Sequence, residues 1–152
     1  MSRADGITVR MAAPADAPLL LPMFEAFYGR FLDVHDPDGI RARLVAAAPV
    51  DTVLVALVDG HPAGFASLRV LPQIETPHPH AELSDIYVNT GDRRRGVGRA
   101  LMAHAERLAR ERGCPRMQLT TGLDNEDARA FYRTLGYAEF GFTLHRELEG
   151  TR

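Results

Sequence analysis

The stretch Leu83-Ser84-Asp85-Ile86-Tyr87-Val88-Asn89-Thr90-Gly91-Asp92-Arg93-Arg94-Arg95-Gly96-Val97-Gly98-Arg99 decides the reading of this chain. A strand over residues 82–89 feeds a glycine turn, which opens an amphipathic helix over 96–112 with Val97, Leu101, Ala105 and Leu108 on one face. Gly113 stops that helix. Gly96 and Gly98 allow a ligand to approach the backbone closely. The free N–H groups and positive dipole end of the helix favour anionic oxygens there, by about 0.3–2 kcal/mol. Three consecutive arginines at a helix start oppose the dipole, a mismatch that an anion removes, and a diphosphate is the natural occupant.

The pattern outward from this turn predicts one α/β domain over residues 1–152. Residues 7–11 form an opening strand. A helix follows over about 14–32, with its regular part starting near Pro22 because Pro18 and Pro22 interrupt it. It carries Phe24, Phe27, Tyr28 and Phe31, all core residues by default. Residues 40–48 form a second helix, and together the two helices are expected to flank the substrate entrance. Residues 52–58, the turn Asp59-Gly60 and residues 64–71 make a hairpin. Prolines 72, 77 and 79 mark a loop before the strand at 82. After the glycine turn and its helix come a strand over 117–121, a helix over 124–135 stopped by Gly136, and two last strands over 137–140 and 142–148. The expectation is a mixed, mostly antiparallel sheet of about seven strands flanked by about four helices.

Composition narrows the function. The chain of 152 residues carries a net charge of −2, and all 18 of its basic residues are Arg. No basic excess points to nucleic acid. No apolar run is long enough to span a membrane, and Met1 to Gly6 lacks the apolar core of a signal peptide, so a cytoplasmic protein is expected. The single Cys114 permits no internal disulfide and reads as a small packed hydrophobe. His78-Pro79-His80 with Glu82 makes a poor metal site, because no second cluster matches it, and no metal is expected.

A phosphate-binding P-loop needs a lysine that this chain lacks, and a dinucleotide fingerprint needs a third glycine where Leu101 stands. Arg93-Arg94-Arg95-Gly96-Val97-Gly98 instead resembles the acetyl-CoA pyrophosphate motif of the GNAT N-acetyltransferase superfamily, R/Q-x-x-G-x-G/A. Asn125, Ala128, Phe131, Tyr132, Gly136 and Tyr137 resemble that family's second pattern, N-x-x-A-x-x-F-Y-x-x-x-G-F/Y. The element order matches over essentially the entire chain, although the first 75 residues are similar in organisation only.

The resemblance implies an acyltransferase that moves acetyl from acetyl-CoA to a primary amine. It implies that backbone groups of Ile86, Tyr87 and Val88 pair with the pantetheine arm. It further implies that the turn from Arg93 through Arg94, Arg95, Gly96, Val97 and Gly98 to Arg99 holds the pyrophosphate, chiefly by amides from Arg94 onward. Tyr132 is the implied acid for the departing thiolate, and Asn125 could cap its helix or bind pantetheine.

A protonated alkylamine is only about 0.1–1% nucleophilic at neutral pH, so a base near the thioester is worth about 10²–10⁴-fold in rate. Glu82, where several family members place a base, is the first candidate and Asp85 the second. Glu75, Glu82 and Asp85 could attract a cationic acceptor, with Phe27, Tyr28 and Phe31 shaping its pocket. The acceptor is expected to be a small-molecule amine, attacked directly in a ternary complex. A protein or peptide acceptor and a non-catalytic CoA-binding sensor are the alternatives. The alternating strand 142–148 would permit pairing across a homodimer.

Overall fold

The computed structural model describes residues 6–150, so the reading of Met1 to Asp5 lies outside the described residues. The chain divides into two compact units, one ending at Leu119 and one beginning at Thr120.

The first unit is one sheet with helices on both faces. Its strands are β1 (Ile7–Met11), β2 (Asp51–Val58), β3 (His61–Leu71), β4 (His80–Val88) and β5 (Met117–Leu119), in the spatial order β1-β2-β3-β4-β5. The first four are antiparallel neighbours, and β5 runs parallel to β4. Cross-strand partners share a face, so the register assigns each side chain. Val55, Phe65 and Tyr87 share the face covered by α1 (Ala17–Tyr28) and α2 (Pro37–Ala47). Leu20, Met23, Phe24 and Ile40 pack there on Val55 and Phe65. The opposite face, with Leu54, Ala66, Leu68, Ala81 and Leu83, lies under α3 (Val97–Glu111), which buries Val97, Leu101, Met102, Ala105 and Ala109. Cys114 is buried beside Leu68, Ala81 and Ala109, and this burial pushes its thiol pKa up, as befits a packed hydrophobe.

Two helix starts differ from the sequence reading. Helix α1 is regular from Ala17 and runs through Pro22. Pro18 occupies the first turn, where no N–H is needed, and Pro22 lies on the exposed side, so the carbonyl it leaves unpaired faces water. Helix α2 starts at Pro37 because the Asp36 carboxylate accepts the Gly39 amide at 2.8 Å, a local N-cap.

The second unit contains α4 (Glu126–Thr134), capped by Asn125, whose Oδ1 accepts the Ala128 amide at 3.2 Å. Gly136, at φ 90°, and Tyr137 close its C-terminal end through amides bonded to Arg133 and Tyr132 carbonyls. The strands expected over 137–140 and 142–148 do not form. Among the described residues the sheet has five strands, with four α-helices. Phe140, Phe142, Leu144 and Leu148 are all at least 70% exposed. Alternation permits a strand, but only a ladder and a covered face make one. The strand over 142–148 that would permit pairing across a homodimer is not formed in this chain.

Candidate active site

One extra residue arranges the polar end of the sheet. Ser67 opposes Asp85 and Leu68 opposes Leu83, so Ser84 is left over as a β-bulge in β4. Its hydroxyl donates to the Ser67 carbonyl at 3.2 Å. Glu82 and Asp85 are three positions apart, an odd step that would put them on opposite faces of a regular strand. The bulge cancels that step. Glu82 opposite Arg69, Asp85 opposite Ser67 and Tyr87 opposite Phe65 all lie on the face that α1 covers.

Around Asp85 the page of side chains is polar on one side and aromatic on the other. The Tyr28 hydroxyl donates to Asp85 Oδ2 at 2.7 Å. Phe27 lies 5.0 Å from the Tyr28 ring and 5.9 Å from Tyr87, and Phe65 is 6.0 Å from Tyr87. Burial lifts the Asp85 carboxyl above the ordinary carboxylate range, against the Tyr28 hydrogen bond and Arg69, which pull it down. Burial, then the bond to Asp85, pushes the Tyr28 phenol well above its usual value, so it stays a neutral donor. Arg69 is bidentate to Asp51, at 2.8 and 3.0 Å, and also feels Glu82 and Asp85. Glu82 has no ion pair among the described residues.

Phe31 does not join this group. Gly29, at φ 53°, ends α1, and Phe31 stands 80% exposed in the following turn with Arg30 over its ring. The expectation that Phe31 is core is corrected, and Phe27, at 39% exposure, is not fully covered either. Glu75 lies apart, in the loop before β4, where it lines a cavity of about 400 Å³ with Gln73, Thr76, His80, Arg116 and Gln118. That cavity adjoins Glu82 through His80, two positions along the same strand, and Gln118, its register partner on β5. Asp51 and Arg69 were not among the sequence candidates. Their signal was a single formally charged residue in each of two largely apolar strands, Asp51 at the start of β2 and Arg69 near the end of β3, and only the register joins them.

The ladder between β4 and β5 covers Ala81, Glu82 and Leu83 and then ends. On that side β4 has no strand beyond Leu83 among the described residues, which leaves Ile86, Tyr87 and Val88 with backbone groups along an open edge. The Ile86 and Val88 side chains face the α3 side, opposite Ala66 and Gly64. The Val88 carbonyl already accepts from Arg93 Nε at 3.2 Å.

Helix α3 begins on Gly96, whose φ of 88° is left-handed and whose missing Cβ would meet only Ile7 at 3.8 Å. No side chain caps it. The amides of Val97, Gly98 and Arg99 start the helix without intrahelical acceptors. Arg94 is also left-handed, at φ 61°, so the turn curls its amides into a concave, anion-accepting surface. Arg95 pairs with Asp92 at 3.0 Å and Arg93 with the Val88 carbonyl, which leaves Arg94 and Arg99 as the exposed arginines not held by the turn.

In the second unit Tyr132 is buried on α4, with ring neighbours Phe131 at 5.4 Å and Tyr137 at 6.1 Å. Burial raises its pKa. Arg129 and Arg133 on the same helix hold Glu139 at 2.6 and 2.8 Å. Neither a metal-binding group nor a helix long and apolar enough to cross a membrane occurs among the described residues.

Residues 20–137 match the model of the acetyltransferase (GNAT) family. Streptothricin acetyltransferase of Streptomyces lavendulae is 33% identical over 90% of this chain, which spans 66% of that relative's length. The type 1 aminoglycoside N(6')-acetyltransferase of Stenotrophomonas maltophilia is 29% identical over 90% of this chain and 89% of its own. A crystal structure of an aminoglycoside acetyltransferase from an uncultured soil metagenomic sample shares the fold, with a TM-score of 0.81 at 23% identity, over 95% of this chain and 97% of that one. The chain belongs to the GNAT acetyltransferase family and is an N-acetyltransferase, an acyltransferase whose family implies acetyl-CoA as cosubstrate.

Proposed function

We propose that this enzyme transfers the acetyl group of acetyl-CoA to a primary amine of a small cationic molecule. The observation that carries this reading is the pair of carboxylates, Glu82 and Asp85, on one face of β4 beside the edge that β5 leaves open. Opposite charge draws in a protonated amine, and the open edge offers backbone partners to an extended ligand arm. Two relatives named for streptothricin and aminoglycosides support a small-molecule acceptor over a protein one.

The residues present fit the cosubstrate. Amides from Arg94 to Arg99 would hold the pyrophosphate at the uncapped start of α3, and backbone groups of Ile86, Tyr87 and Val88 would hold the pantetheine arm. Gly96 keeps the approach open because its backbone is left-handed and nothing fills its Cβ position. Asn125, already the cap of α4, is the further pantetheine candidate. Bound acetyl-CoA supplies the acyl group as a thioester.

Glu82 takes one proton from the acceptor ammonium, and the freed nitrogen pair forms the new C–N bond as the C–S bond breaks. Tyr132, the acid that the family pattern implies, is the proposed proton donor to the departing sulfur; with a second proton lost by the acylated nitrogen, the net reaction releases one proton. A thiolate with a pKa near 8.5 leaves without full protonation, so the base matters more than the acid. Glu82 and Tyr132 are the proposed catalytic residues. The acceptor approaches Glu82 past Phe27, Tyr28 and Asp85, and Glu75 faces its distal end from the neighbouring cavity.

The test is acetyl-CoA-dependent thiol release against amino sugars, aminoglycosides, polyamines, amino acids and short peptides, with Glu82→Gln in parallel. Turnover of a small amine that falls about 10²-fold or more in the variant is expected. Turnover confined to peptides would move the acceptor to proteins. CoA binding with no turnover of any amine would point to a sensor.

A further inference from the structure

We infer that the acceptor carries a second cationic nitrogen, which Asp85 binds while Glu82 serves the nitrogen being acetylated. This rests on the proposed function and divides the two carboxylates between binding and chemistry.

Charge on the sheet face comes first. Asp51, Glu82 and Asp85 sit there with one arginine, and that arginine is engaged with both Asp51 oxygens. Two negative charges remain without a direct cationic partner among the described residues. Asp85 is half-buried, and its hydrogen-bond partner is a neutral phenol on one oxygen. A carboxylate withdrawn from water without a cation is costly, and an ammonium from the ligand would repay that cost.

The surroundings fit an ammonium in particular. Tyr87 follows Asp85 on the same face, and Phe27 and Tyr28 from α1 stand beside it. Aromatic faces attract cations, and their bulk keeps water from screening the carboxylate. Glu82 stands in register between the engaged Arg69 and the polar Gln118, which lines the neighbouring cavity. A proton acceptor needs an exit for its proton, and a cation anchor needs a dry, fixed position. The two environments differ in that sense.

The bulge sets the spacing. With Ser84 extruded, Glu82 and Asp85 are successive side chains on one face, about 7 Å apart along the strand. A diamine whose nitrogens are separated by roughly three to five methylenes spans that distance.

The experiment compares putrescine and cadaverine with butylamine as acceptors for wild type, Asp85→Asn and Glu82→Gln, with diamine binding followed by calorimetry in the presence of CoA. For wild type the diamines are expected to have the higher kcat/KM. Asp85→Asn, which can still accept from Tyr28, should lower the diamine-to-butylamine ratio at least tenfold, mainly through KM. Glu82→Gln should lower kcat for both amines and keep the ratio. An unchanged ratio in Asp85→Asn, or an equal loss of kcat on both amines, would overturn the assignment. If wild type acetylates no amine, the proposed reaction fails by itself. Calorimetry then decides the subsite: diamine binding weakened in Asp85→Asn supports it, and equal binding refutes it.

Discussion

The Tyr28 hydroxyl donates to Asp85 Oδ2 at 2.7 Å and so ties the last residue of α1 to the middle of β4. Burial nevertheless keeps the Asp85 carboxyl above its ordinary pKa. A raised carboxyl pKa favours folding below the unfolded value, near 4, and that advantage is lost as pH rises through the folded value. Asp85→Asn escapes the loss. Its stability relative to wild type should therefore climb as the pH rises from about 4 towards neutrality, modestly because solvent screens a half-buried group. Thermal melts across that range check it, and a flat difference would refute it.

Asp51→Ala should impair acceptor binding without touching the acceptor directly. Arg69, released from its bidentate partner, becomes free to neutralise Glu82 or Asp85. Acceptor KM is expected to rise roughly tenfold, the scale of one charge interaction of about 1.4 kcal/mol, with a smaller change in acetyl-CoA KM. Steady-state kinetics with each substrate varied in turn separates the two.

Gly64→Ala should disturb β4 itself. A Cβ at Gly64 would lie 2.5 Å from the Tyr87 carbonyl and 3.3 Å from Val88 Cα. Backbone must move, and the strand that moves carries Asp85 and Tyr87. A loss of about 1–3 kcal/mol in stability is expected from denaturant melts, together with weaker CoA binding.

The arginines of the turn should not be equivalent. Arg94→Ala and Arg99→Ala remove side chains that the turn does not hold, whereas Arg93 and Arg95 are tied to Val88 and Asp92. CoA affinity should fall more for the first pair, and those losses should shrink at high salt. Gly96→Val should abolish CoA binding, because a β-branched residue at φ 88° is strained by more than about 1–2 kcal/mol. Fluorescence or calorimetric titration with CoA reads both.

Tyr132→Phe should lower kcat by about 10–100-fold and leave any alkaline midpoint of the pH–rate profile in place. Burial raises the Tyr132 pKa, so the hydroxyl is protonated throughout the working range and contributes no titration of its own there. A midpoint that disappears in the variant would contradict this.

What the sequence revealed was local. The strand, glycine turn and helix around Gly96 are written in consecutive residues, and so are the Asn125 cap and the Gly136 stop. The start of α1 was misplaced because the cost of Pro22 depends on which way its carbonyl partner faces. Asp51 and Arg69, 18 residues apart, become partners only through the β2–β3 register. Residues 142–148 have the alternation of a strand, and alternation alone does not supply a neighbour.

Ser84 acts on β4 as a frameshift acts on a reading frame. Side-chain parity counted from Val88 backwards holds as far as Asp85 and is inverted from Leu83 on. Drawing Ser84 into the ladder, a slip of one residue that changes neither composition nor charge, would turn Glu82 into the apolar layer beneath α3 and bring Leu83 out beside Arg69. The chemistry of this enzyme is thus set by a count of residues as much as by their kinds, and relatives are best compared at this strand by parity rather than by the letter in each column.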